Sequence, residues 1–133
     1  QFLLLNNRQQ ATNNKFFWCL CPNSNLYIEK KLPDIPMFIE EELTITIGTD
    51  SLASNDSLSV FDEMKTISKY FPRISSETLI TWATKNGADF LGMEKETGTI
   101  EKGKNPGLNL LQKIHREHEQ IKISEETSFR KLI

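Results

Sequence analysis

Apolar positions in the first half of this chain follow strand periods and then helix periods. Phe16-Phe17-Trp18-Cys19-Leu20 is a continuous apolar and aromatic run, preceded by Asn13, Asn14 and Lys15 and closed off by Pro22. It predicts a short strand buried on both faces. Leu43-Thr44-Ile45-Thr46-Ile47 alternates and is rich in β-branched side chains, which predicts a second strand ending at Gly48. Between them, Pro22-Asn23-Ser24-Asn25 reads as a turn-rich exit loop. Asp34 is placed to cap a helix that has Pro36 in its first turn and continues from Met37 to Glu42. Strand, helix, strand with a crossover is the unit from which parallel sheets are built.

Beyond Gly48 the period changes. Leu58, Phe61, Met64, Ile67 and Phe71 recur at intervals of three and four. They predict a helix with one buried face, capped by Ser57 and stopped by Pro72. Ser75 or Ser76 caps the next helix, with Leu79, Ile80, Trp82 and Ala83 toward the core and a break or kink at Asn86-Gly87 before Ala88 to Leu91. From Gly98 the character turns to β. Gly98-Thr99-Ile100-Glu101-Lys102-Gly103-Lys104 reads as a short strand and turn, Leu108 to Leu111 as another strand, and Phe129 to Ile133 as a third. A second structural unit is therefore expected to begin near Gly98.

Composition narrows the class. The chain has 133 residues, enough for one domain with a real core but short of the roughly 250 of a full (β/α)8 barrel. Formal net charge is -2, and the basic residues are scattered, which argues against a nucleic-acid partner. No apolar run approaches the roughly 20 residues that span a bilayer, so no membrane partner is expected. The N-terminus reads poorly as a signal peptide, and a start without Met suggests a processed, truncated or incomplete product. The two cysteines, Cys19 and Cys21, are separated by one residue. On an extended segment they share a face but are poorly placed to bridge each other. They read as buried, unreactive thiols in a reducing cytoplasm, and C-x-C by itself is a poor zinc site.

Candidate chemistry sits where parallel strands end, because ligands bind outside the carboxyl ends of such strands. Cys21-Pro22-Asn23-Ser24-Asn25 follows the first strand, and Gly48-Thr49-Asp50-Ser51-Leu52-Ala53-Ser54-Asn55 follows the second. A carboxylate at Asp50 can bind a metal or accept a proton from water. By spacing alone, an aspartate such as Asp50 is more often a helix cap or Asx turn than a catalytic base, and its Ser and Asn neighbours are ordinary turn formers.

Together the two segments resemble the amidohydrolase superfamily, in the branch that holds chlorohydrolases, guanine and cytosine deaminases and adenosylhomocysteine-type deaminases. The resemblance continues through Ala83-Thr84-Lys85-Asn86-Gly87-Ala88-Asp89-Phe90-Leu91-Gly92 and Gly98-Thr99-Ile100-Glu101-Lys102-Gly103-Lys104 to Leu108. It implies an α/β fold. Residues 1–97 would be the C-terminal strands and helices of a (β/α)8 barrel, and residues 98–133 part of a small β-sandwich domain. It further implies a divalent metal, zinc or iron, with Asp50 as metal ligand and as acceptor of a proton from the hydrolytic water. Asn23, Ser24 and Asn25 would shape the substrate pocket, and Ser51, Ser54 and Asn55 would lie beside the aspartate within reach of substrate. The implied reaction is hydrolysis of a C–N or C–Cl bond of a nitrogen heterocycle.

Departures from the family pattern are equally definite. The family's His-x-His pair and the later His and Glu ligands are absent, which leaves Asp50 without metal-binding partners in this chain. His115 and His118 lie in a polar stretch and read as solvent-facing, and Gly107 stands where the family carries aspartate. Leu4-Leu5-Asn6-Asn7 matches a sixth strand with Asn6 in place of a catalytic histidine, or residues 1–12 are the end of a preceding helix or a non-native start; asparagine cannot shuttle a proton. The expectation is a C-terminal portion of such an enzyme, silent by itself and prone to form an oligomer through open sheet edges. A catalytically inactive α/β fragment or interaction module is the alternative.

Overall fold

The computed structural model describes residues 15–117 and 120–133. Leu4 to Asn7, including Asn6, and His118 lie outside the described residues. The fold is α/β. Strand β1 (Trp18–Leu20) and strand β2 (Ile45–Ile47) pair in parallel, with Trp18 opposite Ile45 and Leu20 opposite Ile47. Bonds from Trp18 N–H to the Thr44 carbonyl (2.8 Å) and from Gly48 N–H to the Leu20 carbonyl (2.9 Å) close the two ends. All three β2 residues are buried. Strand β1 is not buried on both faces: Trp18 and Leu20 face the core, where Trp18 meets Phe38 edge-on at 5.4 Å, while alternation turns Cys19 outward and exposed.

The crossover holds two helices rather than the single one expected. Helix α1 (Pro22–Glu29) occupies the segment read as an exit loop. Pro22 at its first position has the right φ for a helix and no N–H to lose, and Lys30 closes it in the left-handed region at φ 56°. Tyr27 and Ile28 point to solvent, so no apolar stripe marked the helix. Helix α2 (Ile35–Glu40) begins as expected, with Asp34 accepting from Met37 N–H at 3.2 Å and Ile35 and Phe38 buried.

Helix α3 (Val60–Tyr70) starts two residues later than the apolar spacing suggests. Ser59, not Ser57, accepts from Asp62 N–H at 3.2 Å, and Leu58 stays outside the helix, 59% exposed. Helix α4 (Ser76–Ala83) is capped by Ser75, which accepts from Thr78 N–H at 3.1 Å. The break falls at Thr84, and Asn86 and Gly87 lie inside helix α5 (Lys85–Phe90). Packing explains this: Asn86 Nδ2 donates to the Ile45 carbonyl at 2.7 Å and holds the helix against β2. Tertiary contact overrides the local tendency of Asn-Gly to turn.

The segment Gly98 to Lys104 forms turns instead of the expected strand. Gly98 (φ 88°) and Gly103 (φ 91°) take left-handed conformations, and a Cβ on Gly98 would lie 2.6 Å from that of Ala88. Asn105 N–H then donates to the Glu96 carbonyl at 2.9 Å, folding the segment back. Strand β3 (Asn109–Gln112) pairs antiparallel with β6 (Ser128–Lys131), and β4 (His115–Glu117) with β5 (Gln120–Lys122). His115 is exposed, its Nε2 3.4 Å from Glu126 Oε2.

This β region is tied to the helices at Ile123, which is 2% exposed. Ile123 N–H donates to Ser76 Oγ at 2.9 Å, and Ser68 Oγ donates to the Ile123 carbonyl at 2.6 Å. The core gathers Leu20, Ile35, Ile45, Met64, Ile67 and Leu79 between the parallel pair and the helices. Burial of each such side chain contributes about 1.5–3 kcal/mol.

Candidate functional site

The loop after β2 meets the first turn of α1, so the two chemistry-bearing segments are neighbours in space. Asp50 is exposed and holds φ 57°, a left-handed conformation that aspartate tolerates better than most side chains. Its Oδ2 accepts from Ser54 Oγ at 2.7 Å and from Ser24 Oγ at 2.9 Å. The two serine oxygens are themselves 3.0 Å apart, so two hydroxyl protons serve three close contacts. The Ser54 bond first, then the Ser24 bond, hold the Asp50 carboxyl below its ordinary value of 3.8. Both hydroxyls go to one oxygen, which directs the other away from the serine pair.

The remaining candidates divide. Asn55 is buried; its Nδ2 donates to the Thr49 carbonyl at 2.8 Å and to Glu63 Oε1 at 2.6 Å, and its Oδ1 accepts from Ser57 N–H at 3.3 Å. Asn23 donates its backbone N–H to Glu63 Oε2 at 2.8 Å, and its Oδ1 accepts from Thr66 Oγ1 at 2.6 Å. Asn25 is half-buried in the first turn of α1, with its N–H donating to the Cys21 carbonyl at 3.0 Å. Ser51 is exposed, and its hydroxyl accepts from Ala53 N–H at 3.3 Å. The structure thus brings Ser24, Asp50 and Ser54 together, links Asn23 and Asn55 through Glu63, and leaves Asn25 and Ser51 beside the cluster.

Glu63 is the residue that sequence reasoning missed. It is 0% exposed, on the α3 face shared by Val60 and Ile67. An acidic residue in phase with a buried stripe was the available signal, since Glu is almost never fully buried without partners. Burial, outweighing the bonds from Asn23 and Asn55, pushes its pKa above the ordinary value of 4.5. The sign follows: a raised folded pKa contributes stability that is fully present below the unfolded value and lost as pH rises through the folded one. The urea midpoint of the chain should therefore fall as pH rises from about 4.5, relative to a Glu63→Gln variant in which that component is flat. Identical profiles for the two proteins would show that the carboxylate gains no protons on folding.

The cysteines flank the same loop. A Cβ on Gly48 would lie 2.7 Å from Cys19 Sγ and 3.3 Å from Cys21 Sγ, so both sulfurs sit over this glycine. Burial, and then the neighbouring Cys19, push the Cys21 thiol up to about 11, where it stays protonated at neutral pH. The expectation of two buried thiols is corrected at Cys19, which is exposed.

Among the described residues, no three His, Cys, Asp or Glu side chains converge as a metal site. Ser24 and Ser54, the nearest partners of Asp50, are not the nitrogen, thiolate or carboxylate donors zinc takes. These residues do not fit a complete zinc centre.

Known proteins give this geometry a context. The model of the amidohydrolase family matches residues 5–131. A 5-methylthioadenosine/S-adenosylhomocysteine deaminase from Bacillus cytotoxicus is 38% identical over 90 residues, covering 62% of this chain and 20% of the relative. The chain therefore spans about a fifth of the length of the curated relatives it matches. An adenosine deaminase from Xanthomonas campestris, solved with bound zinc, superposes with a TM-score of 0.58 at 30% identity, over 66% of this chain and 22% of that one. The guanine deaminase of E. coli shares the fold, with a TM-score of 0.58 at 22% identity, over 74% of this chain and 23% of its own.

Proposed function

The chain belongs to the amidohydrolase family, and we propose that it is the C-terminal part of a deaminase that hydrolyses a C–N bond of a nitrogen heterocycle. The observation that carries this reading is the Asp50 cluster at the carboxyl end of β2, facing the turn that follows the parallel strand β1. Barrel enzymes place their catalytic groups at that end of their strands. On this reading β1 and β2 are the last two barrel strands, and residues 98–133 contribute to a β-sandwich.

The chemistry assigned to the chain is limited to its own groups. Ser24 and Ser54 keep Asp50 ionised and oriented. Its second oxygen is left to serve as one ligand of a divalent metal, zinc by analogy with the Xanthomonas campestris structure. Asp50 also accepts a proton from the attacking water. Of the six candidate substrate contacts, Ser51 is exposed and Asn25 half-buried, and these two are left for substrate, while Asn23 and Asn55 are turned to Glu63 and Ser24 and Ser54 to Asp50. The deaminase relatives favour an aminopurine nucleoside over a chlorinated ring as substrate.

The test is a chimera in which residues 16–111 replace their counterpart in the Bacillus cytotoxicus deaminase. The zinc-loaded chimera is expected to release ammonia from 5-methylthioadenosine, while the chain by itself releases none. A folded, zinc-loaded chimera that releases no ammonia from any aminopurine nucleoside would sink the reading; chloride release from a chlorinated heterocycle would redirect it.

A further inference from the structure

Helix α1 begins without a cap of its own. Cys21, at its N-cap, makes no side-chain capping bond, although the first N–H groups of a helix need partners. Glu63, distant in sequence on α3, supplies one: its Oε2 accepts from Asn23 N–H at 2.8 Å. Its other oxygen, Oε1, accepts from Asn55 Nδ2 at 2.6 Å. Asn23 immediately precedes Ser24, and Asn55 immediately follows Ser54. The two serines that hold Asp50 are thus each one residue from a group fixed by the same carboxylate. One turn along α3, Thr66 Oγ1 donates to Asn23 Oδ1 at 2.6 Å and strengthens the α1 side. A buried carboxylate is an expensive way to fill a core position that an apolar side chain would fill without desolvation. Its persistence there needs a reason beyond packing.

We propose that Glu63 is a positioning residue: its buried carboxylate braces the loop of residues 49–55 against the first turn of α1 and so sets where Asp50 stands relative to Ser24 and Ser54. The inference rests on the reading of Asp50 as the working carboxylate of the site, but its geometry is testable without activity. The informative variants are Glu63→Leu and Glu63→Gln. An amide can accept at one end only, so either Asn23 N–H or Asn55 Nδ2 meets an NH2 group, and Asn55 cannot flip without losing its bond to Thr49.

Amide hydrogen exchange on the intact chain reads the result. In Glu63→Leu, which removes both acceptors, exchange is expected to rise about tenfold or more in both residues 23–25 and residues 49–55, with Ile67 and Leu79 in the core unchanged; in Glu63→Gln it rises in whichever segment meets the NH2 group. The Asn55 side-chain amide resonances should also shift, a signature that general loosening would not produce. Acceleration in neither segment, or in one alone for Glu63→Leu, overturns the shared brace. Equal acceleration of Ile67 and Leu79 overturns it too, because Glu63 would then support the core at large. Should Glu63→Leu fail to fold, Asn55→Ala decides. The brace requires faster exchange in residues 49–55 while Asn23 stays protected; an unaffected loop refutes it. An inactive chimera counts against the deaminase reading and leaves these exchange results standing.

Discussion

Asp50→Asn, introduced into the zinc-loaded chimera, is expected to lower ammonia release about 10²–10⁴-fold, the usual contribution of a positioned proton acceptor. The substitution is chosen for what it preserves. Asparagine tolerates the φ of 57° that position 50 requires, whereas alanine there would add left-handed strain of about 1–2 kcal/mol. Its carbonyl oxygen can still accept from Ser24 and Ser54, so the loop keeps its shape. What it loses is the charge and the second oxygen, replaced by an NH2 group that neither takes a proton nor binds a cation. Zinc content measured beside the rate separates the two roles. Loss of both assigns Asp50 to the metal, and loss of rate with zinc retained assigns it to proton transfer. A variant as fast as the parent would remove Asp50 from the chemistry.

Ile67→Ala is expected to destabilise the chain by about 2–5 kcal/mol, read as a lower urea midpoint with an unchanged slope. Ile67 is 0% exposed, on the α3 face turned to the core. Deleting its branched end removes apolar contacts and leaves a cavity that neighbours on α4 and β2 can only partly close. Domains of this size have a total stability of about 5–15 kcal/mol, so this single change is a large fraction of it. Leu58→Ala supplies the contrast, since that side chain is 59% exposed ahead of the helix and its loss should stay within about 0.5 kcal/mol. Equal effects at the two positions would contradict the placement of the α3 start.

Leu58 and Ile67 also show how far the residues could be read in advance. Spacing put both on one buried stripe, and the stripe is real from Met64 to Ile67. The boundary was displaced because Ser57 and Ser59 are equally good caps by residue type, and tertiary context selects between them. The parallel pair, the Asp34 cap and the Ser75 cap were legible, because alternation and capping chemistry act over a few residues. Helix α1 was not: Pro, Asn and Ser read as a turn, Tyr27 and Ile28 face solvent, and its cap comes from Glu63, 40 residues away. The turns at Gly98 and Gly103 were hidden for a related reason, since β-branched Thr99 and Ile100 between them favour a strand while left-handed glycines decide the path. At the site, Asp50 and the serines were named from motif and resemblance. The bonds among them, and the part played by Glu63, depend on contacts between distant segments.

Those separations bear on the order in which the molecule assembles. The helices close on bonds between residues four apart, whereas Ser24 reaches Asp50 across 26 positions and Asn23 reaches Glu63 across 40. Closing longer loops costs more entropy, so the helices can form before the Asp50 cluster closes. Local opening and closing of this loop is an equilibrium within the folded chain. A ligand that binds only the closed arrangement shifts that equilibrium toward closure in proportion to its concentration over its dissociation constant. Occupancy of the site and completion of folding are, for this segment, two readings of one equilibrium.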